Sequence, residues 1–271
     1  MKIKDSVVLI TGGASGIGRI MGRMALEKGA KGVAIWDINQ QNLDTVVSEH
    51  SKLGQTKGYI VDVSDYETVK ATYAQTVQDF GQVDILINNA GIVTTNKTFD
   101  QNTACDIERT LTINSIAPMY VAQVMLPDMI ARNSGHICNI ASAAGLLAVP
   151  HMSVYVASKW ATMGWSDSVW IELREMKSKV RITTFAPYFI NTGMFDGVKS
   201  WFFPILDPEK TAKRVLRAIE KNIRFKGVPF AFRFARFMQG LMPMRMTDWM
   251  FGEVFGIYHA MDHFTGRGKR E

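Results

Sequence analysis

Short apolar runs alternate with longer amphipathic stretches along the first two-thirds of the chain. SVVLIT (6–11), GVAIWD (32–37), GYIVDV (58–63), VDILINNA (83–90), GHICNIAS (135–142) and VRITTFAP (180–187) are brief and rich in β-branched or aromatic residues. Near-continuous apolarity over so few positions predicts strands buried on both faces. Between these runs, apolar residues at helical spacing predict helices over 16–29, 39–53, 65–80, 153–178 and 208–222. The stretch 101–133 reads as two helices or one broken one. Such alternation predicts an α/β fold: a doubly wound parallel sheet of about seven strands, joined by right-handed crossovers.

After Ile223 the rhythm changes and Phe, Met and Arg crowd together. One more strand is predicted near 225–230, then helices over 231–241 and 246–262, parted around Pro243. No Pro/Gly/Ser-rich linker divides the chain. The sequence therefore predicts one main domain over 1–230, with a C-terminal helical extension over 231–271 packed on it or at an interface.

Charge changes the picture of that extension. Lys and Arg total 31 and Asp and Glu 25, a net +6. Residues 1–195 carry 17 of each sign, whereas residues 196–271 carry 14 basic and 8 acidic ones, so the excess belongs to the tail. No nucleic-acid recognition motif accompanies it, and nucleic acid is not expected as a partner. Phe230, Phe234, Phe237 and Leu241 fall on one helical stripe flanked by Arg233 and Arg236. Such a stripe suits peripheral contact with an anionic membrane; covering a sheet edge or forming a dimer contact is its more frequent use. No stretch of about 20 uncharged residues suggests a spanning helix.

The two cysteines, Cys105 and Cys138, lack metal-ligand or disulfide-framework spacing, so no metal site and a reducing, cytoplasmic setting are expected. The first apolar run begins at Ser6, so neither a leader nor an N-terminal anchor is expected before it.

Candidate chemistry begins at ITGGASGIGR, between the first strand and the first helix. Gly12 permits the tight turn, Gly16 close approach of the backbone, and Gly18 packing of helix on sheet. Ser15, Gly16 and Ile17 lie where helix N–H groups would face a pyrophosphate. Asp37 ends the second run about 20 residues on, where a carboxylate accepts hydrogen bonds from ribose hydroxyls and repels a 2′-phosphate. Neither Ser15 nor Ile38 offers a cation for that phosphate, so the expected cofactor is NAD rather than NADP. The other use of Asp37 is to cap the next helix.

With these residues in place the chain resembles the classical short-chain dehydrogenase/reductase family. Its TGxxxGxG pattern is matched from Thr11 to Gly18, the acidic-apolar pair that contacts adenine by Asp62 and Val63, and NNAG by 88–91, with Asn89, Ala90 and Gly91 at the cofactor. Asn114, Ser142, Tyr155 and Lys159 match the family's catalytic tetrad in order and approximate spacing. The resemblance covers about residues 5 to 222. It implies a Rossmann-type single-domain fold, hydride transfer between an alcohol and its carbonyl, and dimers or tetramers formed through the helices near 101–133 and 153–178. It also implies that Lys159 binds the nicotinamide ribose, that Asn114 positions a water linking Lys159 to solvent, and that Pro187, Ile190 and Thr192 flank the carboxamide. Tyr188 stands where the family usually has glycine. That departure, with NTGMF and the tail YHAMDHF, resembles the subgroup of retinol dehydrogenases and 17β-hydroxysteroid dehydrogenase-like enzymes.

Tyr155 and Lys159 lie one helical turn apart, so their side chains can share a face. A free phenol, with a pKa near 10, is a poor base at neutral pH. A nearby ammonium and a nicotinamide cation are expected to bring it towards a working base. Ser142, at a strand end, can hold the substrate oxygen. Singly, Ser142 also suits a turn, Asn114 a cap and Lys159 a solvated charge; together, beside a dinucleotide loop, they point to chemistry.

The expected substrate is a lipophilic alcohol such as a retinoid, steroid or long-chain alcohol. Ser142, Ala144, Leu146, Met152 and Tyr155, with Phe189, Met194, Phe195 and Trp201, form its expected lining. A reductase of polar or acyl-carrier carbonyls and a non-catalytic NAD-binding sensor or scaffold are the competing readings.

Overall fold

The computed structural model describes residues 1–266. Its strands are Val7–Thr11 (β1), Gly32–Asp37 (β2), Thr56–Ile60 (β3), Ile85–Asn88 (β4), His136–Ile140 (β5), Arg181–Pro187 (β6) and Phe225–Val228 (β7). All pair in parallel, in the order β3-β2-β1-β4-β5-β6-β7. The order reverses between β1 and β4, which opens a crevice at their C-terminal ends.

Gly16–Glu27 (α1), Gln40–His50 (α2), Tyr66–Phe80 (α3), Ala104–Leu111 (α4), Ala117–Ala131 (α5), Ser153–Glu175 (α6) and Pro208–Glu220 (α7) flank the sheet. Strand side chains alternate between its faces. Val8 and Ile10 of β1 join Met21 of α1 and Leu216 of α7 on one face. Val7 and Leu9 join Val69 of α3 and Met125 of α5 on the other. With helices over both faces, every β1 residue is buried, which is why the run reads as apolar without alternation.

The stretch 101–133 is the broken case. α4 opens on a capping box between Thr103 and Asp106, and the winding loosens to a π-turn over Thr112–Ile116 before α5 resumes. Pro118, in the first turn of α5, brings no N–H to that junction.

The tail departs from the two long helices expected. Phe230–Arg233 is a 3₁₀ turn, followed by Ala235–Leu241 (α8), Met244–Trp249 (α9), a π-turn over Met250–Val254 and a 3₁₀ turn over Ile257–His259. Gly256 adopts φ +65°, a conformation that stops a helix there. Phe232, Ala235, Ile257 and Met261 pack into the core beside β6 and α7. The stripe of Phe230, Phe234, Phe237 and Leu241 faces outward and is 63, 49, 61 and 66% exposed, so it does not cover the sheet edge.

Candidate active site

The turn between β1 and α1 is held by its neighbours. Thr11 Oγ1 accepts from the backbone N–H groups of Asn89 and Ala90, both at 3.1 Å. Asn89 Nδ2 donates back to the carbonyls of Thr11 and Gly12 at 3.1 and 2.9 Å. The end of β4 and the glycine turn are thereby fixed against each other. Gly12 has φ +61°, and a Cβ there would lie 2.9 Å from Ala90 Cα. No acidic residue occupies the first turn of α1 to offset the positive end of its dipole.

Above this turn lies a cleft of about 790 Å³. Gly12, Ser15, Gly16 and Ile17 form one wall; Asn89, Ala90 and Gly91 the floor; Ser142, Tyr155 and Lys159 the facing side. Pro187, Ile190, Thr192, Met194 and Phe195 close it. A groove reached past Gly12, Ser15, Ala90 and Gly91 continues to Asp37, Asp62 and Val63. Gly18 lines neither, since it sits under the turn with its Cα face against the Gly12 carbonyl and Asn89.

Asp37 does not cap α2; Asn39 does, accepting from Asn42 N–H at 2.9 Å. Asp37 instead accepts from the backbone of Ala14 at 2.9 Å and of Asn39 at 3.0 Å, which aims its carboxylate across the turn.

Ser142 and Tyr155 also line a second, mostly apolar pocket beside the cleft. Ala144, Met152, Phe189 and Phe195 border it as the sequence suggested. Two expected lining residues are elsewhere. Leu146 is 1% exposed and points into the core, with its carbonyl accepting from Gln239 Nε2 at 2.6 Å. Trp201 is 72% exposed and packs edge-on to Phe202. Their positions in the chain gave proximity but not direction.

Tyr188, Phe232 and Ile257 border the cavity as well. The Tyr188 ring stacks on Phe232 at 5.5 Å and meets Phe189 edge-on at 4.6 Å, and its hydroxyl lies 3.1 Å from Ser200 Oγ. The sequence signal for Tyr188 was its replacement of a usual glycine. Phe232 and Ile257 gave none, since nothing local ties the tail to residue 142.

The Lys159 ammonium lies 5.7 Å from the centre of the Tyr155 ring and donates to the Ile140 carbonyl at 3.2 Å. Burial depresses its pKa to about 8. Burial also pushes Tyr155 up to about 12, opposed by its hydrogen bond with Ser142. The chain's own side chains therefore do not deliver the downward shift expected for Tyr155: loss of water around the phenolate outweighs its neighbours.

Asn114, on the π-turn, is 1% exposed and lines neither cavity. Its Nδ2 donates to the Ile92 carbonyl at 2.9 Å and Ser158 Oγ at 3.1 Å, while Oδ1 accepts from Ile92 N–H at 2.8 Å. Both amide hydrogens are thus used within the chain, leaving the second lone pair of Oδ1 to receive any water. Ser158 Oγ in turn donates to the Tyr155 carbonyl at 2.6 Å.

Among the described residues no cluster of His, Cys, Asp or Glu could hold a metal, and no helix is long and apolar enough to cross a membrane.

Comparison with known proteins gives the same direction. A family model described as short chain dehydrogenase matches residues 6–202. Epidermal retinol dehydrogenase 2 of Mus musculus is 33% identical over 99% of this chain and 88% of its own length. Estradiol 17-beta-dehydrogenase 11 of Rattus norvegicus is 31% identical over 91% of this chain and 83% of its own length. A short chain dehydrogenase/reductase from Burkholderia phymatum, solved in complex with NAD, superposes with a TM-score of 0.81 at 24% identity, covering 89% of this chain and 96% of that one. A metagenomic short-chain oxidoreductase solved with NADP superposes at 0.71 and 27% identity, covering 83% and 96%. With the cleft, the paired Tyr155 and Lys159 and these relatives in view, the chain belongs to the short-chain dehydrogenase/reductase family and is an oxidoreductase similar to its retinol and 17β-hydroxysteroid dehydrogenases.

Proposed function

We propose that this enzyme uses NAD to interconvert a lipophilic alcohol (a retinoid, steroid or long-chain alcohol) and its carbonyl. The observation that carries the reading is that Ser142 and Tyr155 stand on the wall shared by the polar cleft and the apolar cavity. An oxygen held there has an apolar body on one side and the dinucleotide cleft on the other.

NAD fits the cleft by three features of the chain. The N–H groups at the start of α1 suit a pyrophosphate. Asp37 presents a carboxylate to ribose hydroxyls, and Asp62 and Val63 flank the groove beyond for adenine. When bound, NAD⁺ would supply the hydride acceptor and a positive charge. Lys159 would hold the nicotinamide ribose, and Ile190 and Thr192 the carboxamide. Tyr155 takes the alcohol's hydroxyl proton while Ser142 fixes its oxygen. In the reverse direction a neutral phenol is the form required to protonate the carbonyl oxygen, and burial favours that form. Asn114 is a positioning residue, acting through Ser158 on the backbone of Tyr155 and through Oδ1 on a water.

Residues 1–230 form the dinucleotide-binding and catalytic domain in this reading, and 231–271 an extension whose Phe232 and Ile257 close the substrate end and whose last five residues lie outside the described ones. Ile116, at the end of the π-turn, and Trp160 and Ile171 of α6 leave exposed apolar surface, which supports a dimer or tetramer through these helices. The outward stripe of the extension supports peripheral contact of a cytoplasmic enzyme with the lipid phase where such a substrate dissolves.

The test is NADH formation with retinoid, steroid and long-chain alcohols, run beside NADP⁺ and a Tyr155→Phe variant. Turnover preferring NAD⁺ and reduced by about 10²–10⁴-fold in the variant is expected. NADH binding with no turnover of any alcohol or carbonyl would sink the enzymatic reading, and turnover of polar carbonyls alone would sink the lipophilic one.

A further inference from the structure

A further concavity shares no lining residue with the catalytic cleft. It is a groove of about 940 Å³ between the segment 204–207, α7, β7 and the Phe230–Arg233 turn. Four cations line it: Lys210 and Arg214 on α7, Lys226 on β7, and Arg233. The one acid in its wall, Asp207, is engaged at the start of α7, where its side chain accepts from Lys210 N–H at 2.7 Å.

Several neighbouring cations are neutralised by ion pairs, although Arg217 and Lys221, which also act on Lys226, are not paired in this way among the described residues. Arg23 pairs with Glu27 and Glu209, Lys28 with Glu220, and Arg224 and Arg236 with Asp167. None of the groove's four is ion-paired among the described residues. Arg233 lies 5.0 Å from the Phe230 ring, with its Nε buried and without a hydrogen-bond partner. Burial first, and then Arg233, Arg214, Arg217 and Lys221, hold the Lys226 ammonium below its usual range.

The rim of the groove is apolar and outward-facing. Ile205 on one side is 44% exposed and Phe230 on the other 63%. Phe230 continues into Phe234, ring to ring at 5.3 Å, and Phe237 and Leu241 follow on the same helical face. A face that joins unpaired cations to exposed Phe and Leu has the two components of an interfacial membrane contact.

We propose that this groove receives the anionic headgroups of a phospholipid surface while Phe230, Phe234, Phe237 and Leu241 enter the adjoining acyl boundary. The inference rests on the membrane reading of the extension and names the lipid chemistry it selects. A second copy of this chain fits less well, because a self-associating face would bring the four unpaired cations towards their like. A nucleic acid would satisfy the cations but leaves an aliphatic Leu241 and Met244, 66 and 78% exposed, without a role.

Sedimentation of the full chain with vesicles of phosphatidylcholine alone, and with phosphatidylserine added at about three parts in ten, tests it. Binding to the mixed vesicles is expected to exceed binding to the neutral ones by at least tenfold and to weaken as salt is raised. A Lys210→Gln/Arg214→Gln variant should lose about tenfold of that preference, and Phe234→Ser/Phe237→Ser should reduce binding to both vesicles. NADH affinity, measured in each variant, should stay unchanged, which separates a docking loss from a folding loss. Equal binding to neutral and anionic vesicles, indifferent to the charge variant, overturns the headgroup site while leaving apolar membrane contact standing. Binding to neither vesicle overturns both. A mass in ultracentrifugation that falls in the Phe variant without any vesicle binding assigns the face to a second copy and overturns the proposal. So does binding to a short duplex DNA that matches or exceeds binding to the mixed vesicles.

Discussion

At the cofactor end of the cleft the lining is mostly main chain: a glycine turn, the first turn of α1 and the end of β4, tied together by Thr11 and Asn89. At the substrate end the lining is side chains drawn from four separated segments, around Ser142–Tyr155, Tyr188–Phe195, Phe232 and Ile257. A dinucleotide presents the same phosphates and sugars whatever alcohol is oxidised, and a backbone cradle on a rigid sheet matches that constancy. A lipophilic substrate is recognised by shape, which side chains on loops and on a tail can alter one at a time.

The difference can be broken most strongly at Gly18. A Gly18→Val substitution would put Cβ into the Gly12 carbonyl and 2.7 Å from Asn89 Nδ2, contacts that backbone cannot relax away. Loss of detectable NADH binding, together with a lowered melting temperature, is expected; retained affinity would show that the turn is not rigid.

Next in size is the junction between the ends. Lys159 has a pKa of about 8 in the folded chain against an ordinary 10.5. Between those values the unfolded chain binds the extra proton, so stability rises as pH climbs from about 8 to 10.5. Below pH 8 the buried ammonium costs roughly 3 kcal/mol. Chemical denaturation should therefore find Lys159→Met more stable than the parent at pH 7, with the gap closing by pH 10. A gap independent of pH would mean that Lys159 is not strained by burial.

Asp37→Ser sharpens the contrast within the cofactor end. Removing the carboxylate should raise the NADP⁺-to-NAD⁺ ratio of kcat/KM by about tenfold, with the preferred alcohol unchanged. An unmoved ratio would place cofactor choice elsewhere. The smallest effect is expected from Phe232→Leu, which trims the ring beneath Tyr188. KM for a long-chain alcohol should move several-fold while NADH affinity stays fixed, at a stability cost of about 1 kcal/mol. A change in NADH affinity instead would mean that the two ends are not independent.

What could be read from the sequence follows the same division. Strand runs buried on both faces announce themselves by continuous apolarity, and residues such as Gly12, Asp37 and Asn89 sit at spacings fixed by strand and helix lengths. The substrate end was legible only by proximity in the chain. Ala144 and Met152 lie at the cavity, but Leu146, just after the 3₁₀ turn Ala143–Gly145, turns into the core, because successive residues of such a turn and its exit point in different directions. Phe232 and Ile257 reach the cavity by folding the tail back over β6 and α7, a long-range contact that no local periodicity encodes. The burial that pushes the Tyr155 phenol up in the chain alone was not legible either, because spacing reveals a neighbouring charge but not the loss of water.

The π-turn at Thr112–Ile116 has a consequence for the entropy of the reaction. By widening the helix there, the chain turns Asn114 inward so that its amide is held by Ile92 and Ser158, and Ser158 in turn grips the carbonyl of Tyr155. The residue proposed to move the proton is ordered from its backbone outward before any substrate arrives. The freedom it would otherwise lose in every turnover is given up once, when the chain folds.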